Sequence, residues 1–410
     1  MKIFTTIICF LFILKAGAQN TRLTIQQATD QAIKSNLRIR SASLEVESQK
    51  QLKKTGFDLP KTNVSLLYGQ YNSYARRDNN FTITQSIPFT TLGSHAALNR
   101  SLIASSELKK TATESELIYQ VKQVYYLLAF TKARQILLLQ QDSIYEGFLK
   151  SAKLRYQTGE ANLLEQTTAE TQRNEVKNLL VQNNAAINIL RTQLKTLLNS
   201  SDLPEIAEAT LPELVFDDVA DTTALAANPL LAYMRQQVDV AKRQKKVENA
   251  RFAPDLLVGY FNQTLIDVPN LENGALATAG DRFTGFQVGL SLPLWFVPHQ
   301  GRSQAAEYSK QAAQANYQNE KLLLEGQLQQ AAQQYAKSKS SLNYYRESAL
   351  PNADLILKQV QTALRSGNIG YAEYLLGVRN AISIKEGFLQ TLNDYNQSII
   401  YIEFLAGNRQ

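Results

Sequence analysis

Cysteine is almost absent: the 410-residue chain has one, Cys9. It lies in a short apolar run (3–14) that follows Lys2 and precedes the small-residue site Ala16-Gly17-Ala18. This order predicts a secretory signal peptide over 1–18. An N-terminal membrane anchor is the alternative, although it needs a longer apolar stretch of about 20 residues. Removal of the signal peptide leaves a chain without disulfides or thiol chemistry and without a lipoprotein signal.

Other features are also missing. No second long apolar run follows residue 18, which argues against inner-membrane helices. The two histidines, His95 and His299, and Met234 show no metal-ligand spacing, so no metal or cofactor is expected. No G-x-S-x-G, phosphate-binding loop or H-E-x-x-H motif occurs, so an enzyme is not expected. The 43 basic and 36 acidic residues are scattered, which argues against a nucleic-acid partner.

Glycine and proline are scarce in the longest segments. From about 94 to 156 there is no proline and only one glycine, Gly147. This predicts one helix on the order of 90 Å long, at ~1.5 Å per residue. A turn at 157–159 and a return helix to about 198 follow. The apolar spacing predicts a coiled-coil seam along Ile187, Leu190, Leu194 and Leu197, and along Val121, Val124 and Leu128.

The sequence contains an internal repeat. Asn36 and Phe57 correspond to Asn228 and Phe252, and three later pairs keep the same order: Pro88 and Pro293, Gly93 and Gly301, Gly159 and Gly367. Such self-similarity predicts a duplicated architecture. After the signal peptide we expect a first repeat over 19–200, with strands at about 61–72 and 80–89. A connector over 201–222 then leads to a second repeat over 223–410, with strands at about 255–266 and 282–294.

The predicted strands alternate between apolar and small polar residues. In the second, Phe81, Ile83 and Ile87 alternate with Thr82, Thr84 and Ser86, and the fourth strand does the same. This pattern is typical of transmembrane strands, but a half-buried sheet covered by helices would share it. Four strands are too few to close a barrel, and open edges are not tolerated in lipid. If the strands span a membrane, several chains must therefore share one barrel.

The repeat, the signal peptide and three pairs of corresponding segments together resemble the TolC family of outer-membrane efflux proteins. The resemblance is strongest in the two tip segments, LRYQTGEANLLEQTTAE (154–170) and LRSGNIGYAEYLLGVRN (364–380). FDLPKTNVSL, FAPDLLVGY, SIPF and SLPLW support them. The resemblance implies a mainly α fold with a membrane β part, namely a homotrimeric 12-stranded outer-membrane β-barrel continued by a periplasmic α-helical tunnel. It also implies a periplasmic adaptor and an inner-membrane resistance-nodulation-division pump as partners, with outer-membrane lipid around the barrel.

The resemblance also implies site residues. Glu165 and Glu373, six residues after the two tip glycines, would line the periplasmic entrance; Leu376 stands where relatives carry a further acid. The tips that contact the adaptor would contain Thr158, Gly159, Leu163, Gly367, Asn368 and Tyr371. Aromatic residues near the strand ends suit interfacial girdles: Tyr71, Tyr74, Phe81, Phe283, Trp295 and Phe296.

The last stretch, from NIGYAEYLLG onward, is similar to the heavy-metal cation-efflux branch of that family. The expected function is therefore a passive exit duct of a tripartite efflux pump, with heavy-metal cations as substrates. A drug-export or protein-export channel has the same architecture. A soluble periplasmic coiled-coil adaptor or structural protein is a further alternative, although an adaptor would carry more and shorter strands.

Overall fold

The computed structural model describes residues 22–71, 73–216, 222–270 and 273–407. The predicted signal peptide and residues 217–221 of the predicted connector lie outside the described residues. The first repeat consists of α1 (Ile25–Ser35), α2 (Leu37–Leu52), β1 (Asn63–Tyr68), β2 (Asn79–Ile87), α3 (Phe89–Gln157) and α4 (Leu163–Leu198). The second repeat consists of α5 (Pro229–Ala250), β3 (Asp255–Gln263), β4 (Phe283–Ser291), α6 (Phe296–Tyr344), α7 (Leu350–Arg365) and α8 (Tyr371–Leu405). The predicted duplicated, mainly helical fold is confirmed.

The chain divides into two compact units. The helical unit contains the described residues within 1–36, 117–219 and 331–402. The sheet unit contains those within 37–116, 220–330 and 403–410. Helices α3, α6 and α8 contribute to both units, because the division falls within each of them.

The sheet unit holds one four-stranded sheet in the order β1-β2-β3-β4, with every neighbouring pair antiparallel. The register places Leu66 opposite Phe81, Ile83 opposite Tyr260, and Val258 opposite Val288. Since opposed residues in a ladder lie on the same face, the apolar members of all four strands form one continuous face. On β4 this face is open: Phe286 is 86%, Val288 74% and Leu290 63% exposed. The alternation predicted from the sequence is therefore present.

The strands are shorter than expected. β1 ends at Tyr68 because Gly69, with φ of 127°, starts the turn. β2 ends at Ile87, before Pro88, which has no N–H for the ladder. α3 begins directly afterwards at Phe89, a few residues earlier than predicted, and it runs unbroken for 69 residues.

The first two helices, α1 and α2, are separated at Asn36, whose backbone is extended (φ −67°, ψ 130°). The buried Asn36 side chain donates a hydrogen bond from Nδ2 to the Leu197 carbonyl at 2.9 Å. Its repeat counterpart Asn228 donates from Nδ2 to the Leu405 carbonyl, also at 2.9 Å. Each asparagine thus satisfies a carbonyl in the last turn of its own repeat's return helix.

The predicted coiled-coil seam is buried at Ile187, Leu190 and Leu194, and it continues to Leu198 rather than to the half-buried Leu197. In the second repeat a π-helical turn, Tyr345–Ala349, separates α6 from α7 just before Pro351. Proline cannot donate the helical hydrogen bond, so an irregular turn near it is expected. None of the described helices combines the length and apolar character needed to cross a membrane.

Candidate functional site: the two hairpin turns

The first turn joins α3 to α4 through residues 158–162. Gly159 has φ of 78°, a left-handed conformation that glycine adopts without a steric penalty. The Gly159 N–H donates to the Tyr156 carbonyl at 3.1 Å, and the Glu160 N–H donates to the Arg155 carbonyl at 2.8 Å. These bonds satisfy the last carbonyls of α3 in the manner of a glycine C-cap.

The second turn, between α7 and α8, repeats this pattern. Gly367 has φ of 72°. Its N–H donates to the Leu364 carbonyl at 3.2 Å, and the Asn368 N–H donates to the Ala363 carbonyl at 2.9 Å. The left-handed glycine that a helix-ending turn requires is therefore present at both tips.

The N-termini of the two return helices are capped differently. At α4, the Asn162 side chain accepts a hydrogen bond from the Glu165 N–H at 3.0 Å. At α8, the corresponding position is Gly370, which has no side chain. The Glu373 carboxylate instead accepts from the Gly370 N–H at 3.2 Å. Each turn thus contains one half of a capping box.

Glu165 and Glu373 consequently have different surroundings. Glu373 is exposed and bound to its own helix terminus. Glu165 is half-buried, and its Oε2 lies 3.6 Å from Arg155 Nη1. Within the described residues, neither this Oε2 nor the Tyr371 hydroxyl has a hydrogen-bond partner, although both atoms are buried. Burial raises the pKa of Tyr371 above its usual value, and the negative charge of Glu165 adds to that rise.

An aromatic cluster lies next to these residues. The Phe148 ring stacks on Tyr371 with centroids 4.1 Å apart and on Tyr374 with centroids 5.4 Å apart. Buried aliphatic side chains complete the cluster: Leu149, Ala152, Ala169, Val378 and Ile382. Stacked rings at such distances contribute beyond their buried area. The cluster therefore fixes the two hairpins against each other inside the helical unit.

The predicted tip residues differ in their exposure to solvent. Thr158, Gly159, Gly367 and Asn368 are exposed in the two turns. Leu163 is exposed, whereas its counterpart Tyr371 packs on Phe148. Sequence reasoning missed Arg155, Phe148 and Asn162. Of these, only Asn162 carried a signal, because Asn162-Leu-Leu-Glu165 has the spacing of a capping box.

The six predicted girdle aromatics are all exposed and lie near the two ends of the sheet. Tyr71 and Tyr74 belong to the β1–β2 turn, Phe81 lies in β2, and Phe283 begins β4. Trp295 and Phe296 follow β4 at the opposite end, where α6 begins. Across the described part of the chain, no group of His, Cys, Asp or Glu could hold a metal ion.

The fold and these turns define a class: a duplicated α-helical hairpin protein whose antiparallel sheet exposes an apolar face. Residues 222–408 match the outer membrane efflux protein family. The match covers the second repeat, and the members of this family are outer-membrane transport ducts of Gram-negative bacteria rather than enzymes. The resemblance predicted from the sequence is confirmed over these residues.

Solved structures share the fold at low identity. VceC from Vibrio cholerae matches with a TM-score of 0.75 and 15% identity, over 93% of this chain and 96% of its own. CusC matches with a TM-score of 0.74 and 16% identity, over 93% of this chain and 92% of its own. The Campylobacter jejuni CmeC outer membrane channel matches with a TM-score of 0.71 and 16% identity, over 95% of this chain and 86% of its own. A search of curated proteins found no match.

Proposed function

We propose that the chain is the outer-membrane channel of a tripartite efflux pump and that three copies form one duct. The observation that carries this proposal is the sheet. Both of its edge strands, β1 and β4, have an unpaired side, and on these two strands the apolar face is open to solvent in a single chain. In lipid such edges need partners, and pairing β4 of one copy with β1 of the next supplies them. Three copies would give the twelve-stranded barrel that the family resemblance implies.

Cell fractionation followed by mass determination of the unboiled, detergent-extracted protein tests this proposal. An outer-membrane complex of about three times the chain mass is the expected result. A periplasmic monomer would mean that the sheet is covered in some other way, and the shared barrel would have to be abandoned.

Conduction through the duct is passive, with the turns as its periplasmic end. Glu165 and Glu373 would line the entrance, and carboxylates around an axis favour hydrated cations. The exposed tip residues Thr158, Gly159, Leu163, Gly367 and Asn368 would contact the adaptor, and Tyr371 would support them from the aromatic cluster. The exposure of Glu373 supports this role, whereas Arg155, 3.6 Å from Glu165, offsets part of the charge of that carboxylate.

Single-channel recording in a planar bilayer tests the entrance. Glu373→Gln is expected to lower cation selectivity, because Glu373 is exposed. Glu165→Gln is expected to change conductance as well, because Arg155 would lose its acidic neighbour. Glu170→Gln, an exposed change on α4, is the matched control. If both variants conduct like this control, these glutamates have no role at the entrance.

We propose heavy-metal cations as the substrates, on the resemblance of the last stretch to the cation-efflux branch. VceC and CusC match this chain almost equally well, so the comparison favours no branch. A passive duct needs no bound metal. Deletion of the chain should sensitise its host to copper, silver, cobalt, zinc or cadmium. Sensitivity to drugs alone would instead identify a drug-export channel.

A further inference from the structure

A short segment between α2 and β1, residues 52–61, exposes both apolar and basic side chains. We call it the junction turn; it contains a 3₁₀ helix, Lys53–Phe57. Phe57 is 72% exposed, and Leu52 is exposed as well. Lys53, Lys54 and Lys61 are exposed beside them. A single exposed apolar residue is common, but exposed phenylalanine and leucine beside lysines are a combination found on surfaces that lie at a membrane interface.

The junction turn packs on α3, and these contacts keep its apolar and basic side chains on the surface. Gly56 is buried against Ala96, where a Cβ at position 56 would lie 3.4 Å from the Ala96 backbone. Asn99 Nδ2 donates to the Leu52 carbonyl at 3.1 Å, and Thr55 Oγ1 donates to the same carbonyl at 2.6 Å. Because Gly56 occupies the inward position, Phe57 is left on the outside.

The charge of the junction turn is not neutralised within the described residues. Lys53, Lys54 and Lys61 take part in none of the ion pairs or side-chain hydrogen bonds found there, whereas the nearby Lys50 pairs with Glu47 at 2.9 Å. Asp58 is the one acidic residue of the segment. Three cations and one anion thus leave a positive surface that attracts anionic partners.

The second repeat does not present the same surface. Arg251 lies 3.0 Å from Glu248 in an ion pair. Phe252, the counterpart of Phe57, packs beside His299 with ring centroids 5.4 Å apart. Arg251 and Phe252 are thus partnered although both are partly exposed, and this region of the second repeat differs from the junction turn.

We infer that the junction turn binds the anionic headgroups of phospholipids in the periplasmic leaflet of the outer membrane. It lies at the helix-side end of the sheet, together with the exposed Trp295 and Phe296. Lysine side chains there reach phosphate groups while Phe57 and Leu52 enter the acyl boundary. This inference rests on the proposed function, since it requires the sheet to lie in the membrane. The exposed Phe57 favours lipid over the acidic peptides of the cell wall, which offer no apolar phase.

Native mass spectrometry of the delipidated full-length protein in detergent tests the inference. Binding of dioleoyl phosphatidylglycerol is compared with that of dioleoyl phosphatidylcholine. The triple variant Lys53→Gln, Lys54→Gln and Lys61→Gln is expected to bind phosphatidylglycerol roughly tenfold more weakly, with phosphatidylcholine binding unchanged. Phe57→Ser is expected to weaken both lipids. The control is Lys177→Gln, Lys337→Gln and Lys358→Gln, which removes three exposed charges from the helical unit.

Equal phosphatidylglycerol binding by the wild type, the control and the triple variant would overturn the inference. So would a triple variant that keeps lipid binding but no longer sediments with purified peptidoglycan. Fractionation and complex mass are recorded for the same preparations. A trimer in the outer membrane that does not discriminate between the lipids contradicts only this inference, whereas a soluble monomer contradicts the proposed channel.

Discussion

The two hairpin turns have the same backbone but use their glutamates differently. Gly159 and Gly367 close both turns with corresponding hydrogen bonds to the helix they end. At α4, Asn162 caps the helix, which leaves the Glu165 carboxylate to approach Arg155. At α8, Gly370 cannot cap, so Glu373 binds the helix terminus itself. A duplicated fold can thus keep its geometry while one residue, the N-cap, decides where a neighbouring charge lies.

The largest expected effect comes from the aromatic cluster that both turns share. Phe148→Ala should destabilise the helical unit by about 3–5 kcal/mol, because it removes a buried ring and leaves a cavity. Urea unfolding of the purified protein, followed by circular dichroism, measures this loss. Tyr156→Ala, at an exposed ring on the same helix, is the control. Similar stability of the two variants would show that the hairpins are held together elsewhere.

The repeated asparagines should give the next largest effect. Asn228→Ala leaves the Leu405 carbonyl without its donor and removes the Asn228 cap from the Leu231 N–H. A loss of about 1–3 kcal/mol is expected for a buried, unsatisfied group. Asn36→Ala should cost a similar amount, because it leaves the Leu197 carbonyl at the end of α4 without the corresponding donor. A loss in urea unfolding at only one of the two positions would contradict the equivalence of the two asparagines.

Much of this fold could be predicted from the sequence. The duplication, the long proline-free helix and the strand alternation all follow from residue patterns, and so do the left-handed tip glycines. The break at Asn36 could not, because it depends on a carbonyl far along the chain, at Leu197. The difference between Glu165 and Glu373 was also missed, since their spacing from the tip glycines is the same; its one sequence signal was the change of N-cap from Asn162 to Gly370.

Substitution of either tip glycine should have a similar effect on stability, because both turns have the same left-handed backbone at this position. Gly159→Ala and Gly367→Ala each force a side chain into a left-handed conformation, at an expected cost of about 1–2 kcal/mol. No atom would contact the new Cβ at either position, so strain is the only penalty. Urea unfolding should show two similar losses, with Gly93→Ala, inside α3, as a neutral or stabilising control. A large difference between the two tips would contradict the equivalence of the turns.

The smallest expected effect tests the N-cap directly. Gly370→Asn gives α8 the side-chain cap that Asn162 gives α4, and asparagine exceeds glycine as an N-cap by only a few tenths of a kcal/mol. Its main consequence should be local: once the introduced amide side chain accepts the Glu373 N–H, the Glu373 carboxylate no longer has to bind the helix terminus. Hydrogen exchange should then slow at the Glu373 amide. The reverse change, Asn162→Gly, should speed exchange at the Glu165 amide and draw the Glu165 carboxylate away from Arg155. If neither amide responds, the residue at the N-cap does not determine where these glutamates lie.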